Sequence, residues 1–188
     1  MFSICVHEYA HAITAYKLGD STAADEGHLT LNPMVQMGPI SIVMLLLIGI
    51  GWGMVPVDER NFSKRYHHAI VSIAGPLSNL LLCLICGICA GICQGALGFE
   101  HKAVNFFAIA GTVNGALFLL NMIPIPPLDG WSVLGGFVPK LRELDSEWTS
   151  HFSWLLLFVL IFSPVISIIF KYGTIMTRIV SSIVLSLF

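Results

Sequence analysis

From His68 to Leu97 the chain carries no formally charged side chain, and this apolar run restricts the fold more than any other feature. Lipid offers a backbone amide no hydrogen-bond partner, so a spanning segment of that length has to satisfy its own N–H and C=O groups as a helix. Three more stretches repeat the pattern: residues 1–19, residues from Val104 into the proline-rich stretch before Asp129, and His151 to Phe170 with Pro164 as an expected kink. Residues are 56% hydrophobic and only 11% charged, whereas soluble domains carry about 25% charged residues. A net charge of −2 with no basic face excludes a nucleic-acid partner. The expectation is an all-α, multi-pass integral membrane protein, a polytopic helical bundle of about four to six transmembrane segments in one domain over residues 1–188.

Between the first two spans the pattern is less regular. Gly27-His28-Leu29-Thr30-Leu31-Asn32-Pro33 alternates and ends in Asn-Pro, which predicts a short membrane-associated β element. The segment from Pro39 to Val57 is apolar but interrupted by Gly49, Gly51, Gly53 and Pro56. If it re-enters the membrane, Lys17, Arg60, Lys64, Arg65, Lys140 and Arg142 share one side against Lys102 and Lys171, with Arg178 left aside; if it crosses, Lys17 changes sides and the bias weakens. The positive-inside rule favours re-entry, with the first helix running outside to inside. A soluble loop is expected over Pro139 to Ser150. In the tail, Ile175, Met176, Ile179, Val180, Ile183, Val184 and Leu187 share a helical face opposite Arg178, Ser181 and Ser182, an apolar face expected to lie in the interface or pack on the bundle. No basic leader precedes the first span, so that span acts as its own insertion signal or the true start lies upstream.

The chemistry sits in the first span. His7-Glu8-Tyr9-Ala10-His11 places two imidazoles one helical turn apart on one face, able to reach one metal ion, with Glu8 offset toward a metal-activated water. From Met1 to Tyr16 Glu8 is the only charged side chain, and a lone carboxylate among apolar neighbours is costly unless paired, hydrated or working. A hydrolytic zinc site needs a third protein ligand and one open position. Of eleven acidic residues, nine fall in evident loops, leaving Glu8 and Asp129. Asp129 is the sole charge between Ala103 and Pro139, and it follows a helix break at Pro124, Pro126 and Pro127. Such a break at membrane depth is tolerated where it is buried in protein or lines a hydrated cavity. The alternative for Asp129 is a helix N-cap at the membrane surface.

His7-Glu8-x-x-His11, Ala74-Gly75-Pro76-Leu77-Ser78-Asn79 and Asn121-x-x-Pro124-x-Pro126-x-Leu128-Asp129-Gly130, in this order, resemble the site-2 protease family of intramembrane zinc metalloproteases. The resemblance implies one zinc ion per chain on His7, His11 and Asp129, Glu8 as catalytic base, and catalytic helices over about 1–19, 68–97 and 104–138, with C-terminal helices over 151–188. It also implies a membrane-protein substrate cleaved within or near its transmembrane segments. The Gly27 to Pro33 stretch is similar to a compact prokaryotic branch without a PDZ or regulatory domain, which points to a prokaryotic cell membrane. The helix before His7 is shorter than the family usually shows. A substrate must unwind to react, and the stretch from Leu29 to Asn32 is expected to offer it a strand edge. Pro126 and its neighbours, lacking N–H donors, would keep the adjoining loop open. Asn79 and Asn121 either steady the oxyanion and the unwound chain or serve as interhelical hydrogen bonds. The competing functions are a membrane metal transporter and a catalytically inactive membrane-protein-binding scaffold.

Cys83, Cys86, Cys89 and Cys93 have the spacing of an iron-sulfur run, but they lie in a continuous apolar helix that turns successive thiols in different directions, so they read as small buried hydrophobes. His28, His67, His68, His101 and His151 fall in loops or at span ends and are assigned no metal.

Overall fold

The structure, a computed structural model, describes residues 1–64, 66–99, 101–138 and 147–188. Its elements are α1 (Phe2–Lys17), α2 (Thr22–Asp25), α3 (Pro33–Gln36), α4 (Gly38–Ile48), α5 (His67–Leu97), α6 (Lys102–Asn121), α7 (Asp129–Phe137), α8 (Glu147–Phe162) and α9 (Pro164–Leu185). Three of them, α5, α6 and α9, are long and apolar enough to cross a membrane. With 16 residues, α1 is about 24 Å long. Most of the predicted loop over 139–150, with Lys140 and Arg142, lies outside the described residues, as does Arg65.

Helix α5 is the hub, packing against α1, α6, α7 and α9, and α6 and α9 also pack against each other. Lipid tails are as apolar as leucine, so helices in a bilayer associate through close packing and interhelical hydrogen bonds rather than hydrophobic burial. At the α6–α9 crossing Gly115 faces Gly173 so closely that a side chain on either would strike the other helix. The inward face of α9 carries Gly173, Thr177 and Ser181, all buried, while Ile175, Ile179, Ile183 and Leu187 are exposed. Of the two alternatives expected for the tail, the structure takes the second. The helix does pack on the bundle, but largely through its small and polar positions, with Val180 and Val184 seated over Gly87 and Gly91. Pro164 is the first residue of a new helix rather than the expected kink within one; Ser163 caps it by accepting from the Val165 amide at 3.2 Å.

Helix α4 is too short to cross, at about 17 Å for 11 residues. It ends at Gly49 in the left-handed conformation (φ 76°), and the chain then runs back beside it. Ser41 Oγ accepts from the Trp52 amide at 2.8 Å and donates to the Trp52 carbonyl, and the Met54 amide donates to the Gln36 carbonyl at 3.1 Å. The predicted β element is not found. Residues 28–32 form bends and coil, and there is no strand among the described residues. The buried Gln36 amide supplies the physical reason, since it donates to the carbonyls of His28 and Thr30, taking two acceptors that a partner strand would have used.

Asp20 ties the end of α1 to the far end of this excursion. Its carboxylate is fully buried and accepts from the Thr22 amide and hydroxyl, from Asn61 Nδ2 at 2.8 Å and from the Asp58 amide at 2.8 Å. Burial pushes its pKa up, but hydrogen bonds from Thr22, Asn61 and Asp58 outweigh it and hold the carboxyl below the usual range. Asp20→Ala leaves several donors unsatisfied and is expected to destabilise the protein in detergent by about 2–4 kcal/mol. Because the folded pKa is the lower one, this contribution is complete above about pH 4 and is lost as pH falls through the folded value. The gap in melting temperature between wild type and variant should therefore narrow once pH falls below about 4, which a thermal-shift series from neutral pH downward would show.

Candidate metal centre

His7 and His11 project from the same face of α1, with ring centroids 4.6 Å apart and planes 81° apart. Asp129, the first residue of α7, comes to them across the bundle. Its Oδ2 lies 3.0 Å from His7 Nε2 and its Oδ1 3.4 Å from His11 Nε2, and the two Nε2 atoms are 3.0 Å apart. Among the described residues this is the one group of three His, Cys, Asp or Glu side chains close enough together to hold a metal ion.

The donor set fits zinc. His7 Nδ1 lies 2.7 Å from the side-chain oxygen of Asn79 and His11 Nδ1 lies 2.8 Å from the carbonyl oxygen of Val71, both of which only accept, so both Nδ1 atoms carry the proton. In the neutral rings both Nε2 atoms are then lone-pair sites, facing each other and a carboxylate. Three acceptors at such distances repel unless a cation sits among them. Tetrahedral ligands about 2.0–2.1 Å from zinc stand about 3.3 Å from one another, close to the separations observed.

Gly75 on α5 makes room for the ligands. A β-carbon there would overlap both His11 Nε2 and His7 Nε2. Glu8 is 8% exposed, and the backbone of Gly53, on the chain returning from α4, lies against its carboxylate so closely that a β-carbon would overlap it. Above the centre is a cavity of about 720 Å³, walled by apolar residues of the returning segment and by Leu157, Phe158 and Ile161 of α8.

The four residues assigned the main chemistry therefore all line this cavity, three of them converging on one point. Asn79 and Asn121 also line it; Asn79 engages His7, whereas Asn121 Nδ2 donates to the Leu117 carbonyl of its own helix at 3.1 Å. Asn32 is exposed and caps α3 by accepting from the Met34 amide at 3.0 Å, outside the cavity lining. Pro127 lines the cavity; Pro126 does not. Sequence reasoning missed Gly53, Gly75 as a spacer for the ligands, and Asn114, described below. A glycine beside a proline inside an apolar helix was the available signal for Gly75, and the glycine pair at 51 and 53 was the signal for the other. His68 pairs with Glu59 at 2.8 Å and lines the cavity without joining the ligand group. Cys83 is buried, with Sγ 3.5 Å from the Thr177 hydroxyl, in keeping with a packing role.

An apolar helical bundle holding His-Glu-x-x-His and a distant aspartate around one point defines a membrane-embedded metallopeptidase. Comparison with known proteins agrees: residues 1–164 match the profile of Peptidase family M50. The chain belongs to this family, the site-2 proteases, and is a zinc metalloendopeptidase of the membrane. It is 38% identical over 170 residues to YwhC of Bacillus subtilis, named as a candidate zinc metalloprotease, covering 86% of this chain and 77% of that one. It is 30% identical over 175 residues to Rip2 of Mycolicibacterium smegmatis and 29% identical over 177 residues to Rip2 of Mycobacterium tuberculosis, named in the same way. Each of these two alignments covers 89% of this chain and 66% of the relative. No solved structure matches the chain significantly.

Proposed function

We propose that this protein hydrolyses peptide bonds within or near the transmembrane segments of other membrane proteins, with one zinc ion per chain on His7, His11 and Asp129 and with Glu8 as general base. The observation that carries this reading is the convergence of His7, His11 and Asp129 in the lining of an apolar-walled cavity that Glu8 also lines. Zinc, when bound, supplies the Lewis acidity that makes water a nucleophile near neutral pH and polarises a carbonyl. Glu8 takes a proton from the attacking water and returns it to the leaving amine, so the carboxylate is restored after each cycle. The apolar cavity walls favour a substrate that arrives from lipid.

The topology is a part of the same reading: α4 and the chain returning from it re-enter the membrane rather than cross it. Asp20, just after α1, bonds to Asp58 and Asn61 just after the excursion, which supports placing both ends on one side, the arrangement the charge distribution favours. The bacterial relatives support a prokaryotic cell membrane as the location. No specific observation favours the transporter or scaffold readings.

Protein purified in detergent should contain about one zinc per chain and cleave a membrane-spanning peptide. A chelator should stop cleavage and added zinc restore it. Elemental analysis that finds no zinc in protein able to cleave would overturn the assignment.

A further inference from the structure

We propose that Asn79 and Asn114 form a one-way hydrogen-bond relay that locks His7 in the tautomer presenting Nε2 to the metal, making both asparagines positioning residues for metal binding. The inference rests on the metalloprotease reading above and adds to it what sets the His7 ring.

The relay begins on α6. Asn114 Nδ2 donates to the Ala110 carbonyl at 2.8 Å, which turns its side-chain oxygen outward, toward Asn79 Nδ2 at 3.1 Å. Asn79 Nδ2 also donates to the Ser3 carbonyl on α1 at 3.1 Å. Both protons of that amide are thereby engaged by acceptors, and Asn79 Oδ1 is left facing His7 Nδ1 at 2.7 Å. Flipping the Asn79 amide would set its oxygen against the Ser3 carbonyl and the Asn114 oxygen, two acceptor-against-acceptor contacts at once. Asn79 is 0% exposed and Asn114 3%, so water cannot repair such a mismatch. The direction of the chain is therefore fixed from Ala110 to His7, and His7 Nε2 is left with its lone pair toward Asp129 and His11. Three helices contribute, α6, α5 and α1, so their correct packing is what sets the ligand. A purely interhelical role for these asparagines would need neither this orientation nor the short contact to His7.

Zinc affinity, read by competition with a fluorescent chelator, separates the relay from simple helix adhesion. Asn79→Leu, similar in volume but without an acceptor, should weaken zinc binding about 10–100-fold. Asn114→Leu should weaken it less, by about 3–10-fold, because the Ser3 carbonyl still holds one Asn79 proton. Nitrogen-15 shifts of His7 in the zinc-bound wild type should report a protonated Nδ1 and a metal-bound Nε2, a readout that needs no variant to fold. Unchanged zinc affinity in Asn79→Leu, or zinc bound through Nδ1 of His7, overturns the relay. Failure of the wild type itself to bind zinc would instead overturn the metalloprotease reading.

Discussion

Replacing Glu8 with glutamine is expected to reduce cleavage of a membrane-spanning peptide by about 10²–10⁴-fold while leaving zinc content unchanged. Glutamine keeps the shape that fits against the Gly53 backbone, so the segment over the site has no reason to move. Glu8 is not among the three side chains that converge on one point, so the metal is held without it. What the amide cannot do is accept the proton of the attacking water. Cleavage at the wild-type rate, followed by gel shift of the product, would remove Glu8 from the chemistry. Added zinc should not restore activity, because the metal was never lost.

Asp129→Ala should behave in the opposite way. Partners that merely orient a ligand cost about 10–100-fold in metal affinity when removed, so losing a ligand itself should cost at least about 100-fold. The two histidine Nε2 atoms would remain 3.0 Å apart with no carboxylate to complete the set. Purified variant should therefore contain little zinc, and its cleavage should recover in part when excess zinc is supplied. Full zinc occupancy at wild-type affinity would exclude Asp129 from coordination. Together the two variants distinguish a lost base, which zinc cannot rescue, from a lost ligand, which zinc can.

Much of this centre is legible in the chain because its signals are local. His7 and His11 share a face through the helical repeat alone. Asp129 stands out as an isolated charge beyond a proline-broken helix, and the cost of burying an unpaired carboxylate marks it whatever the fold. Both boundaries of α5 and the start of α6 fall within two residues of the expected spans for the same reason, since apolar length and backbone self-satisfaction are local properties, whereas α6 stops at Asn121, short of the expected end. Asn79 was found, but its role was left divided between substrate and helix contacts. The choice turns on which end of one amide faces His7, and that depends on a residue of another helix 35 positions away.

The tail shows the limit most clearly. Its apolar stripe reads equally as a face lying in the interface or one packed on the bundle; in the structure Val180 and Val184 of that stripe pack inward while Ile175, Ile179 and Ile183 stay exposed, and Gly173, Thr177 and Ser181 turn inward because they let helices approach and bond. The stretch around Leu29 alternates like a strand, but the Gln36 amide claims its carbonyls first.

Helix positions, the paired imidazoles and the lone deep carboxylate were thus determined by the chain itself, through periodicity and the cost of charge in hydrocarbon. The inward face of α9, the reversal at Gly49 and the orientation of the His7 ring were decided only by tertiary contacts. Where lipid solvates every apolar face equally well, close fit and hydrogen-bond direction between distant segments are what remain to choose among them.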